Sequence, residues 1–292
     1  DKDANYSLTH GNIANIRHIP TCDILVNIAA ESHVDNSITN CAPFIESNIN
    51  GVHNLLELVR LTPKYKRPLL FHISTDEVYG DIISSRSNEK FPYSPSSPYS
   101  ASKASADHLI KSYIRTYKLP AMISNCCNNY GPYQFPEKLI PHVILSAIQG
   151  RNIPIYGDGT QSRDWLFVED HCIALETIFS EGEVGETYNI GGSNEIRNID
   201  IVKTICDIMD ELKPSKNGSY RDLISFVNDR PGHDKRYAVD STKLKNTLKW
   251  KPRESFQSGI KKTIKWYLNN EDWWRKIQKN NYNQQRLGLK NK

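Results

Sequence analysis

Tyr99-Ser100-Ala101-Ser102-Lys103 sets a phenol and an ammonium four residues apart, which on a helix places both on one face. A Tyr hydroxyl ordinarily ionises near pH ~10, and a cation beside it stabilises the phenolate and lowers that value. Such a Tyr can take the proton of an alcohol while hydride leaves the same carbon. Of the 15 Tyr, this is the only one with Lys at that spacing, and it follows the Pro-rich stretch Tyr93-Ser94-Pro95-Ser96-Ser97-Pro98. Standing alone, such a pair is more often an ordinary surface contact. Ser74-Thr75-Asp76-Glu77-Val78-Tyr79-Gly80 adds two adjacent carboxyls. Neighbouring carboxyls in different surroundings can titrate apart and supply one acid and one base; a solvated acidic turn is the plainer alternative.

Both groups need a scaffold. Asp23 to Ala30, Pro68 to Ser74 and Ala121 to Ser124 are short apolar runs ending in polar residues, and they read as buried parallel strands. Between them, Pro43 opens a stretch with Phe44, Ile45, Ile49, Val52, Leu55, Leu56 and Val59 at helical spacing, and a second helical pattern follows Pro98. This alternation predicts an α/β fold with a doubly wound parallel sheet, whose ligands bind beyond the carboxyl ends of the strands. Residues 29–35, 74–80 and 125–132 leave those ends. After Gly150 the pattern loosens into short strands near Ile153 and Glu186 and amphipathic helices at 199–209 and 256–268. We expect a sheet domain over 1–150 and a smaller mixed α/β substrate domain over 151–292, with some segments returning to the sheet.

Composition narrows the function. With 38% hydrophobic and 24% charged residues the chain is not of a disordered type. A net charge of +4 over 292 residues, without a basic stripe, argues against a nucleic-acid partner. No apolar run is long enough for a membrane span, and residues 1–6 do not form a signal peptide. None of the six Cys forms a C-x-x-C pair, so we expect reduced thiols, no metal site and a cytoplasmic protein.

Taken together, the motifs resemble a known family. Tyr99-x-x-x-Lys103 resembles the extended short-chain dehydrogenase/reductase superfamily. Ser74 to Gly80 is similar to the dTDP-glucose 4,6-dehydratase family within it, a Rossmann-like fold. Ala29 to Asp35, Asn128 to Tyr133, Pro136 to Pro141, Arg163-Asp164-Trp165 and Arg230 to Asp234 extend the likeness from about Gly11 to about Tyr282. The resemblance implies NAD as cofactor and a nucleotide sugar, dTDP-glucose favoured, as substrate. It implies that Tyr99, with Lys103 beside it and Thr75 bonded to the sugar, deprotonates the 4-hydroxyl. Glu77 then removes the C5 proton, and protonated Asp76 releases the 6-hydroxyl as water. Ala29, Ala30, Glu31 and Ser32 would line the cofactor cleft, with Ser47 and Asn129 near it and Asn12 and Ile13 toward the adenine. His33, Asn128, Lys138, Leu139, Tyr156, Arg163, Asn189, Arg230, His233 and Tyr282 would meet the substrate. A homodimer through the helices near Pro43 and Tyr99 is also implied.

The sequence departs from that pattern in two places. Gly11-Asn12-Ile13 stands where the family reads Gly-Asp-Ile, and no G-x-G-x-x-G or G-x-x-G-x-x-G occurs. The expectation is therefore an incomplete chain without the first βαβ unit, which would hold NAD weakly by itself. Three alternatives remain: a UDP-glucose 4,6-dehydratase, a related epimerase or decarboxylase, and an inactive sugar-nucleotide-binding protein. The Asp76-Glu77 pair argues against the epimerase and decarboxylase.

Overall fold

The computed structural model describes residues 6–280, so the expectation for Tyr282 lies outside the described residues. Its strands are β1 (Ile24–Asn27), β2 (Leu69–Thr75), β3 (Ala121–Cys126), β4 (Asn128–Tyr130), β5 (Ile153–Tyr156), β6 (Ser162–Phe167), β7 (Thr187–Ile190), β8 (Glu195–Arg197) and β9 (Ile224–Val227). The helices are α1 (Val34–Thr39), α2 (Ala42–Phe44), α3 (Gly51–Leu61), α4 (Pro98–Tyr117), α5 (Leu139–Ile148), α6 (Val168–Glu181), α7 (Asn198–Leu212), α8 (Thr242–Leu248), α9 (Phe256–Asn269) and α10 (Glu271–Asn280).

The main sheet runs β1-β2-β3-β7, and every pair is parallel. Strand side chains alternate between faces, and the two faces bury different helices. Leu70, Ala121 and Ile123 pack on Val52, Leu56 and Val59 of α3 and on Ala106 and Ile110 of α4. Phe71 and Met122 face the other way, onto Ala174 and Ile178 of α6 and Leu244 of α8. Each of the larger side chains among them, taken fully from water, contributes about 1.5–3 kcal/mol, which makes both faces structural and the sheet doubly wound.

A second core joins α5, α7 and α9 to β5 and β6 through Ile144, Ile155, Trp165, Ile205 and Ile264. It does not begin at residue 151. α5 already belongs to it, while β7, α6 and α8 return to the main sheet. No helix among the described residues is long and apolar enough to cross a membrane.

Candidate active site

β2 delivers the acidic segment. Its last residue, Thr75, caps a tight turn over Asp76–Tyr79 by accepting from the Glu77 amide at 3.3 Å. The turn ends at Gly80 with a φ of 74°. A Cβ there would also collide with the Ser94 carbonyl oxygen, so glycine is required on both counts. Ser94 in turn donates its amide to Val78 O at 3.0 Å. The loop that precedes α4 is thereby fastened to the acidic turn.

α4 starts sharply because Ser97 and Ser100 form a reciprocal capping box and Pro98 takes a first-turn position. Tyr99 therefore sits in the first turn and Lys103 one turn on, both buried against β2. The Tyr99 phenol lies beside the Thr75 side chain, and Thr75 Oγ1 donates to Asp76 Oδ1 at 3.4 Å. Asp76 Oδ2 is buried without a protein partner.

The two carboxyls do titrate apart in cause. Burial, and next the Glu77 charge, push Asp76 well above the ordinary carboxylate range, which favours its acid form. Burial also raises Glu77, but Arg230, Arg163 and Lys138 oppose that rise.

Lys103 differs from the sequence expectation. The expectation was an ammonium that lowers the Tyr99 pKa. Instead Lys103 Nζ donates to Ile73 O at 2.7 Å and meets His72 Nε2 at 3.3 Å. Burial lowers the Lys to about 8 and, with the Glu77 charge, raises Tyr99. Burial of the phenol, and not a neighbouring ammonium, is the dominant influence on it.

Beneath this pair lies a hub that sequence reading missed. Asp107 Oδ2 accepts from Ser74 Oγ at 3.0 Å, Tyr93 OH at 3.0 Å and Asn125 Nδ2 at 3.1 Å. Its other oxygen stands 3.6 Å from His72 Nε2. Asn48 is a second omission. It lies in the wider helical turn Ile45–Asn50 between α2 and α3, a kind of turn that is frequent at functional sites. Asn48 exchanges two 2.9 Å bonds with the Glu31 backbone and donates to Ser102 Oγ at 2.9 Å. It thus clamps the 29–32 loop to α4. The only sequence signal was a polar residue inside an apolar helical stripe.

A cavity of about 270 Å³ opens beside Glu77. His33, Asn128, Lys138, Leu139, Tyr156, Arg163, Arg230 and His233, which the resemblance puts on the substrate, line it together with Asp35 and with Ser32, which the resemblance puts on the cofactor. Arg230 Nη1 pairs with Asp35 Oδ1 at 2.7 Å, and Tyr156 OH donates to Asp35 Oδ2 at 3.1 Å. Arg163 is held by the Asp234 and Ser162 carbonyls, both at 2.8 Å, and lies over the Tyr237 ring. Burial and neighbouring cations hold His33 and His233 down to about 4, so both are neutral near pH 7. Three cations in a half-closed cleft suit a polyanion, and Arg suits phosphate oxygens in particular.

Asn189 is not among the lining residues. It is fully buried, accepts from Tyr79 OH at 2.8 Å and donates to Ser87 O at 2.9 Å. Its side-chain bonds are thus taken up in bracing the acidic turn, which corrects the expectation of a substrate contact.

Ala29, Ala30, Glu31 and Ser32 follow the carboxyl end of β1. Ala29 is exposed and Ala30 half-buried, and the loop is anchored through Asn48. The donor set of Tyr99 and Lys103 is compatible with a nicotinamide ribose. Asn12 donates to Glu46 at 2.9 Å and Ile13 lies on Gly51, so this stretch is held to the helix that carries Asn48. Ser47 is half-buried on the same helix. Asn129 contacts Cys126 Sγ at 3.3 Å beyond β3.

Comparison with known proteins places this arrangement. The GDP-mannose 4,6 dehydratase family model matches residues 2–263. A dTDP-glucose 4,6-dehydratase of Neisseria meningitidis is 54% identical, across 91% of this chain and 78% of its own length. A dTDP-glucose 4,6-dehydratase from Bacillus anthracis, solved in complex with NAD, superposes with a TM-score of 0.82 at 40% identity, covering 94% of this chain and 84% of that one. A double mutant of the Streptomyces venezuelae dTDP-glucose 4,6-dehydratase, with NAD bound, gives 0.85 at 37% identity with the same coverage.

Proposed function

This chain belongs to the sugar-nucleotide 4,6-dehydratase family, and from that premise we propose that it binds NAD and dehydrates dTDP-glucose to the 4-keto-6-deoxy sugar nucleotide. The observation that carries the reading is the adjacent Asp76 and Glu77. One is shielded from solvent with a free oxygen, and the other is exposed to three cations at the mouth of the cavity.

NAD, when bound, accepts the electron pair from sugar C4 and returns it at C6. The protein supplies the proton traffic. Tyr99 takes the proton from the 4-hydroxyl, with Thr75 aligned on it. Glu77, the more ionised of the pair, removes the C5 proton that the new ketone acidifies. Asp76, kept as the acid by burial, protonates the departing 6-hydroxyl. Lys138, Arg163 and Arg230 neutralise the diphosphate and fix the sugar relative to these groups, which supports catalysis by orientation. Ala29 to Ser32, Tyr99 and Lys103 would hold the nicotinamide end of the cofactor, and Asn12 and Ile13 would meet its adenine side.

We also infer a homodimer that pairs the helices over 42–61 and 98–117, where Ile45 and Tyr117 are 42% and 45% exposed. A cytoplasmic location fits the six unpaired thiols. Incubation with dTDP-glucose, and separately with UDP-glucose, tests the reading. The 4-keto-6-deoxy product should form faster from dTDP-glucose. An epimer without a ketone product would overturn it.

A further inference from the structure

Lys103 is a buried amine whose own contacts are neutral. It is 4% exposed, and its Nζ reaches Ile73 O at 2.7 Å and His72 Nε2 at 3.3 Å. Burial holds His72 neutral, so neither contact balances an ammonium. An ammonium taken from water with no anion to face sheds its proton. The carboxylate that can balance it stands one helical turn on, at Asp107, on the same face of α4. Asp107 Oδ1 lies 3.6 Å from His72 Nε2, the same nitrogen that Lys103 meets. The edge of a neutral imidazole thus stands between the two groups.

The rest of the hub favours an ionised Asp107. Ser74 Oγ, Tyr93 OH and Asn125 Nδ2 all donate to its Oδ2, and hydrogen bonds to a carboxylate favour its charged form. Ser74 and Asn125 are register partners on β2 and β3. Asn27 of β1, the register partner of His72, meets His72 Nδ1 at 3.0 Å. The sheet therefore fixes carboxylate and imidazole together. Other titratable groups nearby have partners of their own. On α4, Lys111 donates to Tyr93 OH at 3.0 Å, His108 packs 5.2 Å from the Tyr93 ring, and Tyr99 is influenced by Glu77 more than by Asp107. Of the acids on segments packed against α4, Glu46 accepts from Asn12 at 2.9 Å, Glu57 from Arg60 at 2.7 Å and Asp35 from Arg230 at 2.7 Å. Burial lowers Lys103, and Asp107 is the charge that opposes the fall. We propose that Asp107 is the counter-ion of Lys103: acting across His72, it keeps the ammonium charged and seated on the Ile73 carbonyl. It is thereby a positioning residue for the donor that, under the proposed function on which the kinetic readout rests, holds the nicotinamide end of the cofactor.

The test follows the Lys103 ε-carbon by NMR across pH in NAD-loaded protein carrying isotope-labelled lysine, the signal being assigned by its loss in Lys103→Met. Asp107→Asn keeps the size of the side chain and removes its charge. Lys103 in this variant should titrate at least about one pH unit below wild type, the scale of losing a nearby opposite charge. The alkaline limb of kcat should move with it, so that the variant falls about tenfold further behind wild type between pH ~6 and pH ~9. Tyr93→Phe removes one hydrogen bond of the hub and leaves the charge. It should lower Tm and leave the Lys103 titration in place. A further measurement does not depend on Asp107→Asn folding. Asp164, raised to about 6, is ionised at pH ~8, so infrared spectra of Asp76→Asn at that pH should show no protonated aspartate. Such a band would mean a neutral Asp107 and would overturn the proposal. So would an Asp107→Asn enzyme that loses activity evenly across pH while Lys103 titrates as in wild type, since Asp107 would then serve only the fold. Absence of product from wild type would refute the proposed function instead, and the Lys103 titration would still decide the counter-ion.

Discussion

Arg230→Met separates what the cavity cations do for binding from what they do for folding. Arg230 is 19% exposed and Asp35 6% at the side chain, and they meet at 2.7 Å. Breaking a fully buried pair costs about 3–5 kcal/mol because a charge is left alone. Partial exposure puts this pair near or below the low end, about 3 kcal/mol or less. Arg230→Met should therefore lower Tm, and adding Asp35→Asn should restore most of it by removing the orphaned charge. Binding behaves differently. Loss of charged hydrogen bonds to phosphate costs about 1.5–3 kcal/mol, so KM should rise roughly 10- to 150-fold. The second substitution should not rescue it. A third signature is electrostatic. Arg230 is the foremost cation holding Glu77 down, so without it the acid limb of the kcat profile moves to higher pH. Differential scanning fluorimetry and steady-state kinetics across pH measure all three. A double variant with wild-type Tm and unchanged KM would refute the diphosphate role and the reasoning behind it.

Asp76→Asn and Glu77→Gln should stall elimination yet retain some oxidation at C4, seen as reduced-nicotinamide absorbance without ketone-sugar product. Dehydration at the parent rate in both would remove the acid–base assignment. Burial depresses Lys103 to about 8. Between pH ~8 and its unfolded value near ~10.4 the unfolded chain therefore binds the extra proton, and stability rises with pH by at most about 1.4 kcal/mol per unit. Lys103→Met removes that slope, so its stability relative to wild type should be most favourable below pH ~8 and decline above it; chemical denaturation over this range checks the sign. Gly80→Ala imposes a left-handed conformation and a clash with Ser94 O, costing at least about 1–2 kcal/mol. It should lower Tm and reduce kcat together, because the acidic turn and the start of α4 share that contact.

The sequence was informative wherever one segment carried its own signal. The apolar runs became β1, β2 and β3 close to their expected limits, and Ser97-Pro98 marked the start of α4. Adjacent acids and a Tyr-Lys pair needed no partner to be noticed. What escaped depends on pairs distant in sequence. Asp35 gave no sign of Arg230, and a half-buried ion pair can form only after two bodies meet. Asp107 reads as one more acidic residue on a helix until β2 and β3 bring Ser74, Asn125 and His72 onto it. Lys103 was located correctly, but the direction of its ammonium depends on the Ile73 carbonyl at the edge of the site. Asn189 shows the opposite error: a polar residue near a site served to brace it.

The return of β7 to the main sheet also governs the order of assembly. β3 pairs with a strand that follows the whole of α5, β5, β6 and α6 in the chain. On the ribosome, β3 therefore waits as an uncovered edge until residues 187–190 have emerged, and closing so long a loop is slow in comparison with local folding. Chaperone dependence and sensitivity to protease should be greatest in nascent chains that end between Cys126 and Thr187.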